Sequence, residues 1–259
     1  MKIVNILVLF ILLVSCQKAK KPEPYYLNAK ECLETYKLDG HSQHFTDDQP
    51  FVVNVFIHEL VPDSMRYPMA IYDSMIINLN RIYSLSNISF YLTGVECCDP
   101  QEFIGTTSIV RYSTKHNKKK ALNIYVIPDD SLDYRGGAVS VPGTACAIQR
   151  SWLATSTAAH EFGHMQGLKH IHEKDKTSGY NVIFGDAICD TPSPSEDLFS
   201  LPDCVRKLLG KTTEESQILL TNVMGYSYHL CRINLTPVQA ARIRLTYELN
   251  DELRACIRI

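Results

Sequence analysis

TAAHEFGHMQGLKH, residues 157–170, holds three histidines, a glutamate and two glycines in one short stretch. His160 and His164 are four residues apart, so on a helix their imidazoles leave from one face and can chelate a single divalent metal. Glu161, next to the first histidine, stays out of the coordination sphere and can act as a base beside it. His170 does not fit a straight helix. It would lie about 80° away from His160 and well over ~10 Å further along the axis. Gly167 removes the difficulty, because glycine takes the left-handed conformation that ends a helix and turns the chain. The sequence therefore predicts a helix over 151–168 that is ended by Gly167, after which His170 swings back as a third ligand. Three protein ligands and one open position are what a catalytic zinc ion needs.

The chain around this segment has 259 residues, is 45% hydrophobic and carries a formal net charge of −2. That suffices for one cored domain or at most two small ones. The near-neutral balance offers no electrostatic footprint for nucleic acid, and the basic run KHNKKK (115–120) reads as a solvated loop. The N-terminal MKIVNILVLFILLVSC has a basic residue and an apolar run of signal-peptide length, too short for a comfortable membrane span. With Ser15 before Cys16 it resembles a bacterial lipobox, in which Cys16 becomes the lipid-modified first residue. The plainer alternative is an ordinary signal peptide with a chance cysteine. Both readings export the chain, to a lipid anchor in the bacterial cell envelope or into the medium. The expected organisation is a signal peptide over 1–16, a tether and N-terminal segment over 17–48 containing QKAKKPEP, and one catalytic domain over 49–259.

Setting Cys16 aside leaves eight of the nine cysteines, an even set that favours disulfides in an oxidising compartment. Cys97 and Cys98 are adjacent and are expected to bond elsewhere. Cys32 precedes the first strand, where a propeptide could place its thiolate on the metal; a disulfide, for instance to Cys256, is the alternative and is preferred here.

Hydrophobic periodicity supplies the frame. PFVVNVFIHEL (50–60), ISFYLTGVE (88–96) and ALNIYVIP (121–128) read as strands, with another short strand after RGGAVSVPG. In 67–86, Ile71, Met75, Leu79 and Ile82 fall at helical spacing. Residues 170 to about 215 read as irregular. In LTPVQAARIRLTYELNDELRACI, Thr236, Pro237 and Gln239 are placed as N-cap, first helical residue and capping-box partner, with Ala240, Ile243, Tyr247 and Leu249 as the apolar stripe. The order implies a mixed α/β (α+β) domain. Phe162 and Met165 are expected to face its core, and His172 to be a loop residue or a neighbour of the ligands.

The quoted residues match H-E-x-x-H-x-x-G-x-x-H and resemble the metzincin metallopeptidases. Met224 in NVMGYSYHLC (222–231) is placed as their Met-turn methionine, with Tyr226 two residues later. GDAICDTPSP (185–194), ALNIYVIP, GGAVSVP and LTPVQAARIR resemble the pappalysin family, which includes the archaeal ulilysin. That resemblance implies an upper subdomain with a twisted mixed sheet and two helices, above a cleft and an irregular lower subdomain that ends in a helix. It implies zinc on His160, His164 and His170, Glu161 as general base, Met224 as an apolar floor and Tyr226 as a stabiliser of the reaction intermediate. It also suggests a disulfide between Cys204 and Cys231, and structural calcium near Asp186, Asp190 and Thr191. Gln166, where the family commonly carries an aliphatic residue, and HIHEKDKTSGYNVIF (170–184) depart from the pattern. The implied function is that of a zinc endopeptidase acting on protein or peptide substrates, monomeric and attached to the membrane only through its anchor. The rival reading is an inactive lipid-anchored binding protein whose zinc is structural.

Overall fold

The computed structural model describes residues 49–60, 64, 66–99, 109–129, 135–171, 186, 188, 190–192, 214–227 and 229–258. Cys16, Cys32, His172, Cys189 and Cys204 lie outside these, as do the lipobox and the tether.

The frame is a five-stranded mixed sheet of order β2-β1-β3-β5-β4. Strand β1 (Phe51–Glu59) pairs in parallel with β2 (Ile88–Cys97) on one side and β3 (Leu122–Ile127) on the other. β3 pairs in parallel with β5 (Ala145–Gln149), and β4 (Gly136–Ala138) runs antiparallel to β5 at the sheet's edge. β3 and β5 are buried at every position, which is why they read as continuous apolar runs without strict alternation.

Helix α1 (Met69–Ile82) buries Tyr72, Met75, Leu79 and Ile82 in the main core. Ile71 is only half-buried, and Tyr72 takes its place in the stripe. The chain continues as a 3₁₀ turn, Tyr83–Ser86, which stops at Asn87 in the left-handed region (φ 54°). Helix α2 (Ile109–His116) was not foreseen. Its residues include the first part of the basic run, and Lys118 makes an ion pair of 2.6 Å with Glu96, so that run is not simply a solvated loop.

Helix α3 (Ser156–Met165) carries the histidine pair. It starts later than 151 because Arg150–Trp152 form a separate 3₁₀ turn and Thr155 caps α3, its side chain accepting from the Thr157 N–H. After α4 (Glu214–Thr221), helix α5 (Pro237–Leu249) shows the expected capping box between Thr236 and Gln239. Ala240, Ile243 and Tyr247 are buried, but Leu249 is 73% exposed because it closes the helix, and Arg244 takes up part of the buried face. A last turn, α6 (Asp251–Arg254), returns the chain to β1, where Cys256 O accepts from Asn54 N–H and Arg258 N–H donates to Val52 O.

The cysteines do not all pair. Cys97, Cys98, Cys146 and Cys256 form no disulfide. Cys256 is buried behind β1, and its thiol donates to Glu252 O, so the preferred Cys32–Cys256 bridge is not formed. Cys146, fully buried in β5, packs as a small apolar side chain. Cys231 is buried and disulfide-bonded, while its suggested partner, Cys204, is outside the described residues.

Candidate metal centre

Burial of α3 sets the site. Every residue from Ser156 to Met165 is buried, with Phe162 and Met165 on the core side. Tyr83 anchors the helix by donating to Ala159 O at 2.7 Å. The helix ends as a Schellman motif: Leu168 N–H donates to Gly163 O and Gly167 N–H to His164 O, each at 2.9 Å, with Gly167 at φ +88°. A Cβ on Gly167 would stand 2.8 Å from Thr246 Oγ1 of α5. Gly167→Ala therefore combines a left-handed penalty with a collision, and should lower unfolding free energy by about 1–3 kcal/mol in urea denaturation of the metal-free protein. An unchanged midpoint would show that the reversal does not depend on glycine.

The reversal brings His170 to the other two histidines. The three Nε2 atoms form a triangle with sides of 3.2, 3.0 and 3.1 Å. These contacts are not ordinary hydrogen bonds. His160 Nδ1 is 2.8 Å from Val223 O and His164 Nδ1 is 2.8 Å from Leu168 O, so each Nδ1 carries the proton and each Nε2 a lone pair. Lone pairs converging in a buried site repel one another unless a cation lies between them. Nitrogen ligands at ~2.0–2.1 Å from a tetrahedral zinc ion stand about 3.3 Å apart, so the triangle fits that ion with a slight expansion. Burial, with His164 and Arg232 nearby, holds His160 well below the usual histidine range, in the neutral form a ligand needs.

Glu161 is 4% exposed, and burial pushes its carboxyl up to about 8 against the opposing pull of Arg232 and of the Ala138 backbone donor. Its Oε2 has no hydrogen-bond partner. β4 leaves room for it: a Cβ on Gly136 would be 3.1 Å from Glu161 Oε1.

Met224 is fully buried beneath α3, and a Cβ on Gly163 would collide with its Sδ. Its N–H donates to Asn222 Oδ1, and its carbonyl accepts from Ile171 N–H, next to the third histidine. Tyr226, 54% exposed, holds its hydroxyl 3.3 Å from His170 Nε2. Gln166 is fully buried as the C-cap of α3, its amide donating to Phe162 O, so this departure from the family pattern serves the helix end.

Sequence reading missed three supports. Val223 orients His160 through its carbonyl. Asn222 exchanges amide hydrogen bonds with Gln239, tying the Met224 turn to the capping box of α5. Arg232, 6% exposed, donates to Thr157 Oγ1 at 3.2 Å and to Gly225 O at 3.4 Å, and burial brings its guanidinium down to about 10. None of these has a local pattern, since each acts on a residue at least 17 positions away except the Arg232–Gly225 contact.

The calcium expectation is not supported. Asp186 Oδ1 accepts from Thr191 Oγ1 and Ile188 N–H, closing a turn. Asp190 accepts from Thr236 Oγ1 and Val238 N–H, capping α5. Among the described residues the metal-compatible clusters are the three histidines and His58–Glu96–Cys98; neither includes these aspartates. Burial pushes the Asp186 carboxyl up to about 7, the bonds from Thr191 and Ile188 pulling the other way. Its folded value lies above the unfolded ~3.9. The native state therefore holds a proton the unfolded chain has released, and stability from this group falls as pH rises from about 4 to about 7. Asp186→Asn should gain stability relative to the native chain across that window by about 1–3 kcal/mol in pH-resolved denaturation. A variant that loses ground as pH rises would mean that the carboxylate is stabilised as an anion.

The three histidines and Glu161 line one cleft of about 760 Å³, with β4 on one side and Tyr226, Ser227 and Arg232 on the other. Residues 147–248 match the family model described as pregnancy-associated plasma protein-A. Over 252 residues the chain is 22% identical to an extracellular metalloprotease of Arthroderma benhamiae, covering 87% of each. A similar protein of Aspergillus oryzae, also described as an extracellular metalloprotease, is 36% identical over 110 residues, 41% of this chain and 31% of that one. Mature mirolysin of Tannerella forsythia, solved with a cleaved peptide, matches with a TM-score of 0.56 at 22% identity, covering 80% of this chain and 94% of that one. A promirolysin variant from the same organism gives 0.58 at 19%, covering 89% and 94%. The fold is similar to that of mirolysin. The family model and the fungal relatives support a metalloprotease of the pappalysin type.

Proposed function

We propose that the chain is an exported zinc endopeptidase that cleaves proteins or peptides, with Glu161 as general base. The observation that carries this reading is the unpartnered Glu161 Oε2 beside three converging imidazole nitrogens in one open cleft. His160, His164 and His170 would hold zinc, which when bound supplies a Lewis acid and lowers the pKa of water towards ~7.

The protein's own groups do the rest. Glu161 takes a proton from the attacking water on Oε2 and returns it to the leaving amine. Its high pKa in the buried cleft suits both halves of that transfer. The Tyr226 hydroxyl, on the exposed side of His170, donates to the carbonyl oxygen as charge builds there. β4 presents the substrate. Arg135, Gly137 and Val139 lie opposite Gln149, Ala147 and Ala145 in the register with β5, so the backbones of Gly136 and Ala138 turn to the cleft. Ala138 N–H steadies Glu161, and an extended peptide adds to this edge as a further strand.

The rival, a structural zinc site, needs a fourth protein ligand, and among the described residues no other histidine, cysteine or carboxylate joins the three imidazoles. Export rests on the N-terminal 1–16 segment and on the extracellular naming of the fungal relatives. Anchoring at Cys16, the tether over 17–48 and a single catalytic domain over 49–259 belong to the same proposal. No helix among the described residues is long and apolar enough to cross a membrane.

The test is digestion of casein and of a peptide mixture by purified protein, before and after chelation and after zinc is restored, with products sequenced by mass spectrometry. Internal cleavage that disappears with chelator and returns with zinc is expected. Cleavage indifferent to chelator, or none from the zinc-loaded protein, would overturn the reading.

A further inference from the structure

We infer that Arg232 makes the cleft select an acidic side chain in the substrate residue that seats between the first turn of α3 and the segment after Met224. This deepens the endopeptidase reading and rests on it for the substrate.

Arg232 lies in the cleft wall and is nine-tenths buried. Its neighbours do not use it up. A guanidinium has five N–H donors, whereas its acceptors here are Thr157 Oγ1 and Gly225 O, at 3.2 and 3.4 Å. His160 Nδ1, at 3.4 Å, donates to Val223 and cannot also accept. The Arg232 Nε–H has no partner. Among the described residues no carboxylate lies within ion-pairing distance of it. A buried cation with open donors and no carboxylate in contact with it is costly to keep, and the cleft it faces is where one can arrive.

The remainder of the lining agrees in sign. Arg135 and Lys169 add two cations, and Glu161 is the one carboxylate among the described lining residues. Glu161 and Arg232 attract each other through space without forming an ion pair, so one carboxylate stands against three cations in the wall. Arg135 is held over the Trp152 ring at 3.8 Å, which fixes its charge at the rim. Thr157 places a hydroxyl beside Arg232. A carboxylate entering here meets a planar fork of donors and two further cations. A lysine or arginine side chain meets the same charges as repulsion.

The test uses the zinc-loaded protein and fluorescein-labelled peptides that differ at one residue beside the scissile bond, carrying Asp, Glu, Asn, Leu or Lys. Cleavage rates are read by mass spectrometry and binding by anisotropy. A preference for Asp or Glu over Lys of about 10- to 100-fold in kcat/KM is expected, the scale of a charged hydrogen bond. Arg232→Gln should bring that ratio close to one, and Arg232→Lys should restore part of it. Should a variant fail to fold, the preference of the native protein decides alone. Cleavage without acidic preference, or with a basic one, overturns this inference and leaves the protease reading intact. Acid-selective binding without cleavage overturns the protease reading and upholds the subsite. Neither binding nor cleavage overturns both.

Discussion

Glu161→Gln should lower kcat for peptide cleavage by ~10²–10⁴-fold, the usual worth of general acid–base catalysis, while zinc content stays that of the native protein. The substitution is nearly isosteric. The amide oxygen can still accept from Ala138 N–H, and the amide nitrogen takes the position of Oε2, which has no protein partner to lose. The carboxylate touches none of the ligand-orienting bonds, which run from His160 to Val223 and from His164 to Leu168. Structure and metal affinity are thus left in place, and only the proton acceptor is removed. Parallel zinc analysis and steady-state kinetics check this. Full activity with zinc bound would mean that another group accepts the proton; loss of zinc would place Glu161 among the ligands.

His170→Ala should have an effect as large, and of a different kind. With two imidazoles left on α3, the site loses the ligand delivered by the Gly167 reversal, and zinc retained after dialysis should drop from about one ion per chain towards none. Activity should vanish with it. The variant should also lose zinc-linked stabilisation. An ion present at a hundred times its dissociation constant adds about 2.7 kcal/mol to folding, and thermal unfolding with and without zinc would show that increment in the native chain but not in the variant. His170 contributes little to the fold itself, since its ring is only part-buried and meets His160, His164 and Tyr226. The apo proteins should therefore unfold at similar temperatures. A variant that keeps its zinc would show that the third ligand is elsewhere.

What was legible in the sequence follows from the range of each interaction. The two histidines on α3, the glutamate beside the first and the glycine that ends the helix are local, fixed by helical spacing and by the one residue that tolerates φ +88°. The capping box of α5 is equally local. Arg232 was invisible because its meaning comes from Thr157 and His160, more than 70 positions away. Asn222 reads as an unremarkable polar residue until Gln239 is folded against it. The cysteine count misled for a related reason: evenness says nothing about distance, and Cys146 and Cys256 are occupied as packing groups in the core. Helix α2 escaped because only Tyr112 and Ser113 in it are buried, too few to set a period.

The account depends on three imidazoles meeting one ion with a coordination position left to solvent. Zinc X-ray absorption on the purified, zinc-loaded protein measures this directly. It should show three histidine nitrogens at ~2.0–2.1 Å, a light fourth scatterer and no sulfur. A sulfur shell at ~2.3 Å, or fewer than three imidazoles, would contradict it.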